Sequence, residues 1–257
     1  MKEHKKDLLI IIPAYNEEKT IGTLLDELMK PSVAEIADIL IMNDASDDKT
    51  EYVVRERHLI VVNHIYNLGY GTGLQVGYRY AVRHGYRYVI QMDADGQHDP
   101  SNIPVIYNRL TKKDEKGRCP DIVLGSRFAK GAAGYSAGFL KKVAWGLFRF
   151  LIKLSTGKKI TDPTTGLQGL SHRAFSYYAG YGHFDDKYPD ANMIMQMLLL
   201  GFQIEEVPAL MHPRNAGKSM HSGLKPVVYM LRMMFSMLAV WLRIKLFRAD
   251  LKEQCEN

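Results

Sequence analysis

Two carboxylates stand one residue apart in Asp93-Ala94-Asp95, at the end of the short apolar run Tyr88–Met92. The run predicts a buried strand that ends in a polar turn. Alternate residues of an extended segment point to the same side, so both carboxylates can project from the strand end. Hard oxygen donors at this spacing suit Mg²⁺ or Mn²⁺. Asp-rich turns are also ordinary loop sequence, so the pair alone leaves a metal site and a plain turn equally open.

Short apolar runs alternate with helix-like segments through residue 125 and predict an α/β fold, a mostly parallel sheet with helices on both faces. Strands are predicted at Leu8–Ile12, Ile36–Met42, Leu59–Asn63, Tyr88–Met92, Asp121–Gly125 and Gln203–Val207. Helices are predicted at Glu17–Lys30, Lys49–Glu56, Thr72–His84, Ile103–Lys112, Phe139–Ser155 and Asn192–Leu200. In such sheets ligands bind beyond the carboxyl ends of the strands. The turns Pro13–Glu18, Asn43–Asp48 and Asp93–His98 should therefore meet in one crevice.

Positive charge is concentrated in two parts of the 257 residues, whose formal net charge is +6. Segment 126–161 has no Asp or Glu and eight cationic residues, Arg127, Lys130, Lys141, Lys142, Arg149, Lys153, Lys158 and Lys159. Segment 212–257 has eight cationic residues against three acidic ones. Such asymmetry indicates an anionic partner, which leaves nucleic acid, a diphosphate substrate and an anionic membrane open.

The last predicted element is a long apolar helix over Leu224–Arg248. Its polar residues fall within about 40° of one another on a helical projection; they are Lys225, Arg232, Ser236 and Arg243. The uninterrupted apolar run Met233–Leu242 is about half of the roughly 20 residues that a transmembrane span needs. The pattern favours a helix lying in a membrane interface. The alternative is packing on the domain or on a second copy of the chain, as a homo-oligomer.

The turns after the first two strands, Pro13-Ala14-Tyr15-Asn16-Glu17-Glu18 and Asn43-Asp44-Ala45-Ser46-Asp47-Asp48, precede the Asp93-Ala94-Asp95 pair in chain order. This ordered set resembles the donor site of family 2 glycosyltransferases with the GT-A fold, over about the first 215 residues. The resemblance implies that Pro13, Tyr15 and Glu17 line a nucleotide pocket. It also implies that Asp44 accepts a hydrogen bond from the base imide, since an ionised carboxylate only accepts. Helix capping is the other explanation for Asp44 and Ser46, and a helix-dipole contact for Glu17.

The same resemblance assigns the phosphate and metal contacts. Asp95 would be the principal metal ligand with Asp93 in support, and Gln97 would approach the metal as in polyprenyl-phosphate sugar synthases. Those enzymes also resemble this chain at Gly125-Ser126-Arg127, in the basic glycine-rich loop that follows, and at Asp162-Pro163-Thr164-Thr165-Gly166. The implied phosphate-binding residues are Arg127, one of Lys141 or Lys142, and, in a late basic loop, Arg214 and Lys218.

One departure concerns the segment Asn67-Leu68-Gly69-Tyr70-Gly71, where the family often has Lys or Arg between the glycines. Tyr70 occupies that position, which removes one possible phosphate contact. Another is Gln168, where dolichyl-phosphate mannose synthases tend to have Arg. The acceptor is therefore assigned less firmly than the donor.

Activation of the nucleophile depends on the acceptor. A phosphate monoester has a second pKa near 6 and is largely ionised at neutral pH, so a polyprenyl phosphate needs no strong base. A sugar hydroxyl needs a general base within hydrogen-bonding reach. Asp190 in Tyr188-Pro189-Asp190 holds the position of an acidic base in many glycan-extending members of the family. The alternative is an acidic residue at a helix N-terminus; Asp185 and Asp186 are weaker candidates for the base.

The predicted function is inverting, metal-dependent transfer of a sugar from a nucleoside-diphosphate sugar, UDP-linked in preference to GDP-linked, to a polyprenyl phosphate. A lipid-linked glycan is the alternative acceptor, and a non-catalytic nucleotide-sugar-binding subunit of a membrane complex is a further alternative. Nucleic acid is not expected as a partner because the basic segments contain amphipathic helices and no base-reading module.

The predicted organisation is a GT-A domain over residues 1–222, with a nucleotide-sugar half (1–125) and an acceptor half (126–222), and a membrane-interfacial tail over 223–257. Cys119 and Cys255 match no metal-binding or redox spacing, in keeping with a reducing cytoplasm. The predicted location is the inner face of the cell membrane, with a membrane surface or membrane protein as partner.

Overall fold

A single mixed sheet organises the computed structural model, which describes residues 6–132, 139–212 and 225–246. Within them the strands are β1 (Leu8–Ala14), β2 (Ala37–Asn43), β3 (Ile60–Asn63), β4 (Tyr88–Gln91), β5 (Ile122–Ser126), β6 (Gln168–Ser171) and β7 (Ile204–Pro208). Their order across the sheet is β3-β2-β1-β4-β6-β5-β7. Strand β6 runs antiparallel to β4 and β5, whereas the other pairs are parallel.

Helices cover both faces of this sheet. They are α1 (Ile21–Leu28), α2 (Pro31–Ala34), α3 (Thr50–Arg55), α4 (Tyr70–Arg83), α5 (Asn102–Thr111), α6 (Phe139–Thr156), α7 (His172–Ala179), α8 (Ala191–Leu199) and α9 (Lys225–Trp241), the last followed by a π-helical turn, Leu242–Leu246. Strand β1 is buried along its whole length. Leu9 and Ile11 join one core cluster and Ile10 and Ile12 the other, as expected for a central strand with a helical layer on each side.

The predicted α/β architecture is confirmed, and each predicted strand is present within one or two residues. Strand β6 and helix α7 were not predicted. Strand β6 is only four residues long and contains Gly169, which is atypical of strands. A Cβ atom at Gly169 would collide with Ile106 and Leu110 of α5, so the glycine lets this helix pack closely on the sheet. The segment predicted as one helix over Glu17–Lys30 starts only at Ile21.

Two residues of the predicted polar stripe, Ser236 in α9 and Arg243 in the turn that follows it, contact the domain. Ser236 accepts a 2.8 Å hydrogen bond from the Asn192 amide, and Arg243 donates one to the backbone oxygen of Gly182 over 3.2 Å. The buried apolar residues of this segment are Met233, Met237, Val240 and Ile244. Large apolar side chains on the outer face remain exposed, with Phe235 at 70% and Val228 at 63%.

By length and composition, the helical segment Val227–Leu246 could cross a membrane, with a mean hydropathy of 1.6. The prediction from the sequence was different, because it counted only the uninterrupted apolar run. The packing of the inner face on α8 leaves one apolar stripe available, which suits a helix that lies along a surface. Interfacial binding by this tail stays a prediction.

Candidate active site

The turns after β1 and β2 are hydrogen-bonded to each other. The amide of Asn16 donates to the Ser46 hydroxyl over 3.0 Å, and the amide of Asp47 donates to Asn16 Oδ1 over 2.9 Å. Asn16 and Ala45 both have positive φ, 55° and 59°. Asn tolerates this region better than most residues, whereas for Ala45 it is strained. Reciprocal bonds between the two turns hold these conformations and so fix the rim of the predicted nucleotide pocket.

Of the three residues predicted to line this pocket, Tyr15 and Glu17 lie in the turn after β1, and Pro13 lies within the strand. Pro13 is buried within β1, while the Tyr15 ring is 45% exposed. Glu17 accepts a hydrogen bond from the Thr20 hydroxyl over 2.6 Å, and its own amide donates to the Thr50 hydroxyl over 2.9 Å. Helix α1 begins after Glu17, so its carboxylate is not in the first helical turn. A large exposed ring beside an anchored backbone is suited to stacking on a base.

Asp44 is buried and organises the loop that follows β3. Its carboxylate accepts hydrogen bonds from the amides of Leu68 and Gly69, each over 2.8 Å, and pairs with His64 Nδ1 at 2.8 Å. Both oxygens therefore already accept hydrogen bonds, although each carboxylate oxygen has two lone pairs. Recognition of a base imide by Asp44 stays a prediction, and it would act alongside this structural role.

Asp93 is held from two sides at the end of β4. Its Oδ1 accepts the Tyr70 hydroxyl over 2.8 Å, and its Oδ2 pairs with His98 Nε2 at 3.0 Å. Burial alone would raise the pKa of Asp93, but the bonds from His98 and Tyr70 and the charge of Arg127 outweigh it and lower the pKa. The carboxylate is therefore ionised and fixed in orientation at neutral pH.

Asp95 and Gln97 lie on the turn beyond Asp93. The Gln97 amide donates to Asp95 Oδ1 over 3.0 Å, while the Gln97 carbonyl accepts from the His212 amide over 2.8 Å. Both residues are only partly buried. Among the described residues no group of three or more His, Cys, Asp or Glu could hold a metal ion. The Asp93 and Asp95 carboxylates are hard oxygen donors of the kind that Mg²⁺ binds together with substrate phosphates, and their role as metal ligands stays a prediction.

Arg127 makes a buried ion pair with Asp162. Its Nε and Nη2 donate to the two carboxylate oxygens over 2.7 and 2.6 Å, and Nη2 also donates to the Thr164 hydroxyl over 3.0 Å. The Asp162 side chain is 0% exposed. The guanidinium also lies over the Trp145 ring, 5.1 Å from its centroid. This bidentate pair gives Arg127 a structural role that the sequence did not predict.

Asp190 is the N-cap residue of α8, but its side chain makes no capping hydrogen bond. Its carboxylate instead accepts the Tyr229 hydroxyl of α9 over 2.5 Å. Burial raises the pKa of Asp190 to about 6; the Tyr229 bond and the charge of Arg127 act against this rise, and the charges of Asp93 and Asp185 add to it. The charges of Asp93 and Arg127 therefore act on Asp190, which also stands at the N-terminus of α8, and its role as a base stays a prediction.

The loop before Asp190 is packed against the start of α4. The Thr72 amide donates to the backbone oxygen of Asp186 over 3.2 Å, and a Cβ atom at Gly71 would collide with Asp185. Asp185 itself accepts hydrogen bonds from two loop amides and from the Asn192 side chain. Its carboxylate thus holds the loop together, which disfavours it as a base. The close approach requires glycine at position 71.

Only some of the predicted phosphate-binding residues belong to the part of the chain that the structure describes. Lys141 and Lys142 are exposed on α6. Arg214 and Lys218 lie outside the described residues, so their roles stay predictions. Among the residues that the structure describes, Asp44, Asp93, Asp95, Arg127 and Asp190 lie on β-strand ends and loops at one edge of the sheet.

The sequence model of the family described as Glycosyl transferase family 2 matches residues 9–178, which include β1, β4 and the loops between them. This chain belongs to glycosyl transferase family 2. Its similarity to undecaprenyl-phosphate mannosyltransferase of Micrococcus luteus is 29% identity over 236 residues, covering 84% of this chain and 88% of the relative. UDP-N-acetylglucosamine–dolichyl-phosphate N-acetylglucosaminyltransferase of Methanococcus voltae is 28% identical over 186 residues, covering 66% and 71%.

The fold of this glycosyltransferase is also that of a solved enzyme. Glucosyl-3-phosphoglycerate synthase from Mycobacterium tuberculosis, in complex with phosphoglyceric acid, superposes with a TM-score of 0.67. The match covers 93% of this chain and 79% of that one, at 18% identity. At that identity the likeness concerns the fold alone, and it confirms the predicted GT-A architecture.

Several residues of the glycosyltransferase site were not assigned a role from sequence. His98 lies within the Asp93–His98 turn and Asp162 within the Asp162–Gly166 turn, so their motifs were visible but their contacts were not. Tyr70 occupies a position where the family often has Lys or Arg. In the structure its hydroxyl donates a hydrogen bond to Asp93. Tyr229 carried no signal, since a tyrosine in an apolar helix gives no indication of a distant carboxylate partner.

Proposed function

We propose that this glycosyltransferase moves a sugar from a nucleoside-diphosphate sugar to a polyprenyl phosphate with inversion at the anomeric carbon. The observation that carries the proposal is the meeting of the β1, β2 and β4 turns at one edge of the sheet, with Asp93 oriented by Tyr70 and His98. The Micrococcus and Methanococcus relatives are named as transferases that act on undecaprenyl and dolichyl phosphate, which supports the acceptor class.

A uridine diphosphate donor is favoured over a guanosine one. The exposed Tyr15 ring can stack on a base, and the ionised Asp44 carboxylate can accept a hydrogen bond from the base imide. The Methanococcus relative is named as a transferase that uses a UDP-linked sugar. Glucosyl-3-phosphoglycerate synthase has also been solved with UDP and Mn²⁺. Asp95, with Asp93 and Gln97, would hold Mg²⁺ or Mn²⁺. A divalent cation there supplies Lewis-acid stabilisation of the departing diphosphate.

In the transfer step an oxygen of the acceptor phosphate attacks the anomeric carbon, and the bond from that carbon to the diphosphate oxygen breaks. The acceptor phosphate is already largely ionised at neutral pH, so no strong base is required. Arg127, Lys141 and the late loop residues Arg214 and Lys218 would contribute fixed positive charge near the phosphates. Asp93 remains ionised and holds its place beside Tyr70 and His98.

A donor and acceptor screen tests this proposal. Purified protein would be given UDP- and GDP-linked sugars with Mn²⁺ or Mg²⁺, with and without undecaprenyl phosphate in detergent. We expect release of nucleoside diphosphate that rises with the lipid phosphate, together with a glycolipid product. Donor binding without turnover under every condition would instead favour a non-catalytic nucleotide-sugar-binding subunit.

Transfer to a sugar hydroxyl is the alternative function, and Asp190 is the candidate general base for it. The charges of Asp93 and Arg127 act on its carboxylate, and its pKa of about 6 lies close to neutral pH, where general bases are efficient. This arrangement favours a sugar hydroxyl of a lipid-linked glycan as the alternative acceptor. In that case Asp190 would take the hydroxyl proton as the new glycosidic bond forms.

Replacement of Asp190 by Asn separates the two acceptors. With polyprenyl phosphate we expect a loss in kcat of less than ten-fold, because that nucleophile is already ionised. With a hydroxyl acceptor, loss of the base should cost about 10²–10⁴-fold. Steady-state rates on both acceptors measure the difference. A loss above a hundred-fold with polyprenyl phosphate would contradict the proposed role of the acceptor's own charge.

Three further measurements accompany this variant. Burial opposes ionisation of Asp190 in the folded state, so the neutral Asn should leave the melting temperature at pH 7.5 unchanged or higher. The Tyr229 bond lowers the pKa of Asp190, so Tyr229→Phe should move the acidic limb of hydroxyl transfer to higher pH. Asp186→Asn, at an exposed residue of the same loop, should leave both activities within two-fold.

The proposed location is the inner face of the cell membrane. The support is the exposed apolar stripe of α9, which includes Val228, Leu231 and Phe235, beside the acceptor half of the domain. The Micrococcus relative acts on a lipid phosphate by its name, so its acceptor is a membrane lipid. A membrane protein or a second copy of the chain could also cover this stripe.

A further inference from the structure

A basic cavity of about 340 Å³ lies between α6 and the turn that follows it, with Phe128 in its wall. It is lined by Phe128, Arg149, Phe150, Lys153, Lys159, Ile160 and Thr161. Three of these side chains are cationic, three are large and apolar, and none is acidic. They belong to the acid-free segment 126–161, whose charge the proposed transfer reaction uses only in part. The composition predicts an anion with an apolar portion as ligand.

Arg149 is the reason to expect a bound anion here. Its Nε and Nη2 atoms are buried and have no hydrogen-bond partner among the described residues. Its guanidinium lies over the Phe128 ring, 4.6 Å from the centroid. Burying a guanidinium without a counter-charge is costly, and its planar fork of N–H donors matches two oxygens of a phosphate. Arg127, on the same ring at 5.7 Å, has its counter-charge in Asp162.

The apolar surroundings favour a lipid over a free phosphate ion. Phe150 is 60% exposed on the cavity wall, and Leu154, one helical turn further along α6, is 71% exposed. A soluble phosphate ion gains nothing from such side chains, whereas acyl chains beneath a headgroup would cover them. Lys153 and Lys159 add positive charge at the rim, and basic residues are attracted to an anionic membrane surface.

We propose that this cavity binds the headgroup of an anionic phospholipid, with its phosphate on Arg149, Lys153 and Lys159 and its chains against Phe150 and Leu154. None of the residues assigned to sugar transfer lines this cavity, so the site is separate from the proposed sugar-transfer site. Lipid binding here does not depend on any transfer reaction, so it goes beyond the proposed function. It would orient α6 on the membrane surface.

Flotation with vesicles that lack polyprenyl phosphate tests the site on the full-length protein. One set contains phosphatidylcholine alone and the other also contains phosphatidylglycerol. The triple variant Arg149→Gln/Lys153→Gln/Lys159→Gln is compared with Lys112→Gln/Lys113→Gln/Lys116→Gln, which removes the same charge at exposed positions on the α5–β5 connection. We expect phosphatidylglycerol-dependent binding that falls at least ten-fold more in the cavity variant than in the matched variant.

Arg149→Lys distinguishes a shaped site from general attraction, since it keeps the charge and loses the fork of donors. We expect it to weaken binding to the phosphatidylglycerol vesicles about five-fold, a loss that general attraction would not produce. Circular dichroism would verify that both variants fold. Sugar transfer to a detergent-solubilised acceptor, measured in parallel, keeps failure of this site distinct from failure of the proposed function.

Three results would overturn the lipid site. Equal losses in the cavity and matched variants would mean non-specific attraction. Equal binding to both kinds of vesicle would mean that the charge is not used. Thermal stabilisation by inorganic phosphate that Arg149→Lys weakens, without any preference for phosphatidylglycerol, would mean a soluble phosphate ion.

Discussion

Asp95→Asn is expected to lower kcat/KM for sugar transfer by about 10²–10³-fold with Mn²⁺ or Mg²⁺ present. A carboxylate that shares a divalent cation with the diphosphate contributes several kcal/mol of transition-state stabilisation, and each 1.4 kcal/mol corresponds to about ten-fold in rate. The amide is nearly isosteric and can keep the bond from the Gln97 amide, so the turn should survive. Initial rates across a metal titration measure the effect.

Asp47→Asn is the matched control for that experiment. It also removes one carboxylate from the same edge of the sheet, but the Asp47 side chain is exposed. The backbone amide of Asp47, which the substitution keeps, donates the hydrogen bond to Asn16 Oδ1. We expect its activity to stay within two-fold of the unmodified protein. An Asp95→Asn variant that retains both its rate within five-fold and its metal dependence would remove Asp95 from the proposed metal site.

The sheet was predictable because its central strands carry strong and simple patterns. Leu8–Ile12 is apolar without interruption, as a strand buried on both faces requires, and a polar turn follows it. The same reasoning placed the β2 and β4 turns together, since parallel strands end at one edge. Strand β6 escaped prediction because Gln168 and Gly169 give no alternation, and its place between β4 and β5 comes from non-local packing.

The contacts within the site were much less predictable than the residues. Asp93 and Asp190 were identified from their motifs, but each also has a hydrogen-bond partner from a distant part of the chain. Tyr70 reaches Asp93 across 23 positions and Tyr229 reaches Asp190 across 39. Such pairs depend on how α4 and α9 pack, and periodicity reports the face of a helix without naming its partner. The same limit hid the Arg127–Asp162 pair.

Arg127→Met is expected to destabilise the protein by about 3–5 kcal/mol, because it leaves the fully buried Asp162 carboxylate without its counter-charge. For a chain of this size the loss corresponds to a fall in melting temperature of roughly 10 °C. Calorimetry or thermal circular dichroism would measure it. The matched control is Lys130→Met, three residues further along the chain at an exposed position. It should change the melting temperature by less than about 2 °C, as surface substitutions usually do.

The double variant Arg127→Met/Asp162→Asn then separates the structural role of Arg127 from its predicted phosphate contact. Neutralising Asp162 removes the uncompensated charge, so the double variant should regain at least half of the lost stability. Its transfer rate should nevertheless stay about ten-fold or more below that of the unmodified protein, since a charge-assisted hydrogen bond to a phosphate contributes roughly 1.5–3 kcal/mol. Full recovery of the rate together with the stability would show that Arg127 supports only the loop, and the phosphate contacts would then fall to Lys141 and the late basic loop.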